Sequence, residues 1–219
     1  VSRGSPANLP NYEGLANKIA GQIGASYEDS DERPEVFLYQ LKKKEKRVHE
    51  TTYNIIKKSD SEPTTLHRNL LEIFRDPRNV KLITTNYDVL FEEAAEELVD
   101  KKVFSETPVT YSFPSIPFGE EFNGIVHLHG SIETGPDSLI LTAEDFSQHY
   151  IGKGRCSEFL YNMFEEYVVL FVGYSHNDTI MKYLARGLPV SEIPSRFLLD
   201  REDNLKTQDQ LTGLGLKPI

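Results

Sequence analysis

Val80-Lys81-Leu82-Ile83-Thr84-Thr85-Asn86-Tyr87-Asp88 is the stretch on which the reading of this chain turns. It is a short β-prone run, bounded in front by Asp76-Pro77-Arg78-Asn79 and closed by polar residues. Upstream of it the apolar residues keep helical spacing. Tyr12, Leu15, Ile19 and Ile23 step by three or four behind Pro10 and Asn11. Pro34 opens a second helical pattern with Val36, Phe37, Leu41 and Val48 facing inward. A third carries Leu66, Leu70, Leu71 and Ile73.

Downstream, strand-like runs recur at 124–129, 138–142, 167–172 and 196–200, separated by helical stretches near 88–99, 143–150, 155–166 and 178–187. Short apolar strands alternating with helices predict an α/β fold, a Rossmann-like parallel sheet with helices on both faces. Residues 25–78 read as a helical insertion in a domain spanning 1–219. The chain begins without methionine and ends on Gly213-Leu214-Gly215-Leu216-Lys217-Pro218-Ile219, so this domain is expected to be truncated at both ends. In a parallel sheet, ligands bind beyond the carboxyl ends of the strands. Thr84-Thr85-Asn86, His127-Leu128-His129, Thr142 and Gly173-Tyr174-Ser175 should therefore converge on one crevice.

Composition narrows the classes. The 219 residues carry 24 Lys and Arg against 34 Asp and Glu, a net charge of -10 that disfavours direct nucleic-acid binding. The local basic run Lys42-Lys43-Lys44 with Lys46 and Arg47 reads as a solvated helix face. A lone cysteine, Cys156, excludes an intramolecular disulfide and a cysteine-rich zinc site. Neither a membrane span nor a signal peptide is visible, so a cytoplasmic location is the default expectation.

Four segments, in order, resemble the sirtuin family. Ser2, Pro10, Asn11 and Tyr12 resemble the end of its phosphate-cradling loop and the Pro-Asp-Phe that follows, without the loop's glycines. Thr84-Thr85-Asn86-Tyr87-Asp88 resembles Thr-Gln-Asn-Ile-Asp. His129-Gly130 resembles the strand-ending His-Gly pair, and Gly173-Tyr174-Ser175 the Gly-Thr/Tyr-Ser turn. The resemblance implies that Asn86 holds the nicotinamide ribose and a water, that Asp88 grips the carboxamide and that His129 is a general base. It implies that Ser2, Pro10, Tyr12, Thr84, Thr85, Gly173, Tyr174 and Ser175 help to bind NAD. Simpler readings stand beside these: Asn86 and Asp88 capping the following helix, His127 as a structural histidine, and Asn177 or Asp178 as an N-cap. In a regular strand His127 and His129 would share a face.

Sirtuin deacylases carry two Cys-x-x-Cys pairs for a structural zinc, which one cysteine cannot supply. The pattern is similar instead to the zinc-less sirtuin-like domains of bacterial antiphage defence, which hydrolyse NAD to nicotinamide and ADP-ribose. That resemblance implies NAD as substrate, no metal, a homo-oligomer, and a partner ATPase or sensor. Two alternatives remain open at this point, an NAD-dependent protein deacylase and a non-catalytic NAD or ADP-ribose sensor. The loops around 25–35 and 105–122 are candidate gates.

Overall fold

The computed structural model describes residues 2–27, 32–45, 47–119, 121–152, 154–173, 196–199 and 217–219. The chain divides into two compact units, 1–117 with 122–152, and 118–121 with 153–219.

The first unit begins with helix α1 (Tyr12–Gln22), started by Asn11, whose side chain accepts from the Gly14 amide. Its stripe Leu15, Ala16, Ile19 and Ala20 is buried. The expected second helix is in fact two: α2 (Pro34–Glu45) and α3 (Val48–Lys57), with Arg47 at the N-cap of α3. Val48 thus opens a new helix rather than extending the stripe of α2, and Phe37, Leu38, Leu41, Val48 and Ile56 share one core with α1, Tyr87, Leu139 and Leu141. In α4 (Thr65–Glu72) the buried residues are His67 and Leu71, while the expected core positions Leu66 and Ile73 are exposed.

Strand β1 (Lys81–Thr84) buries Leu82 and Thr84 and leaves the alternate residues half-exposed. Helix α5 (Leu90–Asp100) leads to β2 (Thr110–Ser112), a strand inside the segment expected to be loop. Strand β3 (Gly124–His127) inserts between β1 and β2, parallel to both, and all four of its residues are buried. A central parallel strand is covered on both faces, which is why 124–127 is uniformly apolar until His127. One face carries a second core, in which Leu82 and Ile125 pack with Phe91, Ala94, Ala95 and Leu98 of α5 and Leu71 of α4.

The expected strand at 138–142 does not form. Pro136–Ser138 makes a single 3₁₀ turn, Leu139 to Leu141 run on without a strand partner, and Thr142 caps the short helix α6 (Ala143–Phe146). Proline at the first position of the turn and threonine before α6 hold this stretch as a connector. A π-helical turn, Ser147–Gly152, follows. The basic run is split in role: Lys43 and Lys44 are exposed, but Lys42 bonds to Glu144 at 2.9 Å and Asp145 at 3.3 Å. His49 of α3 reaches the same Asp145 at 2.7 Å.

The second unit contains α7 (Arg155–Glu166), β4 (Val169–Val172), β5 (Arg196–Leu199) and β6 (Lys217–Pro218), the strands forming a parallel sheet in the order β4-β5-β6. Phe164 of α7 stacks on Phe171, and the Arg196 guanidinium lies 5.6 Å from the Phe164 ring. The fold is α/β with parallel sheets and covering helices, as expected. The helix anticipated at 178–187 lies outside the described residues. Among the described residues no helix is long and apolar enough to cross a membrane.

Gly124 fixes the start of β3. Its φ is +138°, and a Cβ there would lie 2.0 Å from the Val109 carbonyl oxygen. Gly124→Ala is therefore expected to lower unfolding stability by about 2 kcal/mol or more in urea titrations. An unchanged midpoint would show that the close approach of 109 to 124 does not constrain the fold.

Candidate functional site

Parallel pairing sets Thr84 beside His127, so the loops leaving β1 and β3 emerge side by side. Backbone bonds then clamp them together: Leu128 N–H to Thr84 C=O at 2.9 Å, Ile132 N–H to Tyr87 C=O at 2.9 Å, and Ile140 N–H to His129 C=O at 2.9 Å. Tyr87 donates its hydroxyl to the Ile140 carbonyl at 2.8 Å, and the Tyr12 hydroxyl donates to the next carbonyl, that of Leu141. Gly130 permits this packing, since it has φ +84° and a Cβ would lie 2.3 Å from the Ser138 carbonyl oxygen.

On the β1 side, three segments meet at one hydroxyl. The Thr64 backbone amide donates to His67 Nδ1 at 3.0 Å, which makes Nδ1 an acceptor and leaves the proton on Nε2. Nε2 then donates to Ser2 Oγ at 3.1 Å, and Asn86 Nδ2 donates to the same oxygen at 2.9 Å. Ser2 Oγ thus takes both Nε2 of His67 and Nδ2 of Asn86, and with the amide nitrogen on Ser2 the Asn86 Oδ1 is left as an acceptor. Burial holds His67 neutral, its pKa pushed down to about 4. Burial also raises the Asp88 pKa above the usual carboxylate range, against the Leu90 amide, Ser2 and His127, which favour the anion.

The capping alternative separates here. Helix α5 begins at Leu90, and its N-cap residue Val89 has no side-chain bond. Asp88 accepts from the Leu90 amide at 3.3 Å, a weak cap, whereas the Asn86 side chain is committed to Ser2. Asn86 is no cap. Its backbone amide donates to Thr84 Oγ1 at 3.1 Å, and Thr85 between them is exposed.

The two histidines of the β3 end diverge. Regular strand ends at His127, so the alternation expected to put both on one face does not reach His129. His127, 0% exposed, faces the Asn86 carbonyl through Nδ1 at 3.2 Å and Glu92 Oε1 through Nε2 at 2.8 Å. His129 faces Tyr150, its Nε2 lying 2.7 Å from the tyrosine hydroxyl, with the rings of Phe146 and Tyr150 edge-on to it. Burial among these rings pushes its pKa down to about 3, so the imidazole is neutral. Asp145, at the start of the same helix, is held well below the usual carboxylate range: burial opposes its charge, but His49, the Thr142 amide and hydroxyl outweigh that cost.

Ser2, Thr84 and Asn86 are thus brought together by direct bonds, with Asp88 buried two residues further on. His129 is joined to them through the backbone clamp, and Pro10 sits at the half-exposed approach to α1. Gly173 directly follows β4 in the second unit, while Tyr174, Ser175, Asn177 and Asp178 lie outside the described residues. His67, Glu92 and Tyr150 were not anticipated. The signal for His67 was its place three residues after Thr64, the capping-box position usually held by Glu or Gln. Among the described residues no group of three or more His, Cys, Asp or Glu is placed to hold a metal ion.

Comparison with known proteins gives two findings. The family model of the SIR2-like domain matches residues 80–219, more than half of the chain and the part holding Asn86, Asp88 and His129. The uncharacterized protein y4cA of Sinorhizobium fredii is 23% identical over 205 residues, a match covering 84% of this chain but 17% of that protein. The chain therefore spans about a sixth of the length of this curated relative.

Because His129 is neutral when folded and protonates near its ordinary value when unfolded, acid favours the unfolded chain. Its contribution to stability is complete above about pH 6.5 and falls as pH drops toward 3. Between pH 7 and pH 5 the wild type should lose about 2 kcal/mol more unfolding free energy than His129→Gln in urea titrations. Parallel losses would show that His129 titrates normally in the folded chain.

Proposed function

Because the chain belongs to the SIR2-like domain family, whose members use NAD, we propose that it is an NAD hydrolase releasing nicotinamide and ADP-ribose. The observation that carries this reading is the oriented Asn86 amide, bonded through Nδ2 to Ser2 beside the buried Asp88. An uncharged amide and a carboxylate are the groups a ribose hydroxyl and a carboxamide N–H require. Neither repels the cationic nicotinamide ring.

Asp88 accepts the carboxamide N–H, and Asn86 Oδ1 accepts from a ribose hydroxyl or a water and so orients it. Once parted from Tyr150 and Phe146, whose burial of the ring weakens it as a base, His129 takes the proton of the ribose hydroxyl or of that water. The bond from ribose C1′ to the ring nitrogen breaks with its electron pair going to nitrogen, and the water oxygen bonds to C1′. NAD and water thereby give nicotinamide, ADP-ribose and a proton. No step calls on a metal ion.

With its single cysteine, the chain lacks the two Cys pairs of zinc-bearing deacylases, which favours water over acyl-lysine as acceptor. We place the activity in bacterial antiphage defence, as a cytoplasmic effector restrained by assembly with itself or with a partner ATPase or sensor. A specific observation favours a second reading, binding of NAD or ADP-ribose without turnover. His129 is shut against Tyr150 and Phe146, and must part from the tyrosine hydroxyl to act as a base.

The test is incubation of NAD with the full-length protein and its assembly partners, resolving nicotinamide and ADP-ribose by chromatography. Wild type should release both in equal amounts, and Asn86→Ala should slow release by about two orders of magnitude or more. Nicotinamide release that requires an acyl-lysine peptide would establish the deacylase. NAD binding without release, unchanged in His129→Ala, would establish the sensor.

A further inference from the structure

His127 is buried on every side and both of its ring nitrogens face acceptors. Nε2 lies 2.8 Å from Glu92 Oε1, and Nδ1 lies 3.2 Å from the Asn86 carbonyl oxygen. A backbone carbonyl never donates, and a carboxylate bonded to Thr110 Oγ1 at 3.2 Å is already acting as an acceptor. A neutral imidazole has one N–H and would leave a lone pair facing one of these oxygens. Only the imidazolium satisfies both.

We propose that His127 is a positioning residue: a buried imidazolium, anchored on Glu92, that holds the Asn86 carbonyl and with it the Asn86–Asp88 turn in its binding geometry. The groups that face it are few. Glu92 comes from α5, Asp88 and the Asn86 carbonyl from the loop after β1, and no other charged group is placed against it among the described residues. Burial opposes the charge, but Glu92 first, then the Asn86 carbonyl and Asp88, raise the histidine above its ordinary pKa.

The bridge is complete below the ordinary histidine pKa and is lost as pH rises through the raised one. On losing one proton the ring keeps the N–H facing the charged Glu92, and the Asn86 carbonyl is the bond that opens. In Glu92→Gln the anion is gone and the glutamine amide can donate to Nε2. The neutral ring then keeps Nδ1–H on Asn86, so the turn no longer depends on pH.

Two measurements on the full chain test the inference without any NAD turnover. Ring ¹⁵N–¹H spectra, assigned with His127→Gln, should show both nitrogens of His127 protonated at pH 7. A resonance with one bare nitrogen overturns the proposal. Amide hydrogen exchange of the peptide covering 84–92, corrected for intrinsic rates, should lose protection by tenfold or more on the alkaline side in wild type and stay level in Glu92→Gln. Equal pH profiles in the two proteins overturn the positioning role. The inference rests on the hydrolase reading only for its effect on turnover, where the alkaline limb of kcat/KM for NAD should follow the exchange profile and vanish in Glu92→Gln. An absence of NAD cleavage sinks that reading alone, because the spectra and the exchange profiles decide the bridge independently.

Discussion

The hydroxyl of Ser2 is where three stretches of chain far apart in sequence must agree. Thr64 fixes the tautomer of His67, and His67 and Asn86 both donate to Ser2 Oγ. Each of these groups is buried or half-buried, so each bond left unmade would strand a polar atom away from water, at a cost of about 1–3 kcal/mol. With Nδ2 of Asn86 on Ser2, the amide oxygen Oδ1 is left as an acceptor, which is the feature a polar ligand would read.

The sheet makes this agreement possible. Because β3 lies between β1 and β2 in parallel register, Thr84 and His127 end together, and the two following loops are bound to each other within a few residues. A slip of one residue would turn His127 to the opposite face and break its bonds to Asn86 and Glu92. Register is secured by the uniformly buried β3 and by Gly124, whose missing side chain admits the Val109 carbonyl. Stability and site geometry share the same contacts here.

The chain's order made much of this legible. The strand runs at 80–85 and 124–129 were readable because their apolar residues end abruptly in polar ones, and Asn11 announced α1 by its position before the stripe. The stretch 138–142 misled because Leu139, Ile140 and Leu141 are apolar for another reason. They are buried, and the carbonyls of Ile140 and Leu141 take the hydroxyls of Tyr87 and Tyr12, tying down the loop after Gly130. β2 escaped notice since Thr110 to Ser112 is three residues long and only half-buried. The break between α2 and α3 was hidden because Val48 is buried in the same core as the stripe of α2, so its spacing alone suggested one helix. Asn86, Asp88 and Ser2 are singled out by a motif, whereas Glu92 and Tyr150 have no local signature. Their partners are 35 and 21 residues away in sequence, and only the fold brings them into contact.

His127 and His129 show how little sequence position decides about chemistry. They are two residues apart and both buried, yet burial has opposite outcomes. His127 meets a carboxylate and a carbonyl, so the charge is held and the ring is driven toward the imidazolium. His129 meets aromatic edges and one phenol, nothing repays the lost hydration of a charge, and the ring stays neutral. A cation cannot take a proton, and a neutral ring cannot satisfy two acceptors. The environments therefore part the two rings: the same burial leaves His129 neutral and weakly basic against its aromatic neighbours, and makes His127 a donor at both nitrogens to the turn after β1.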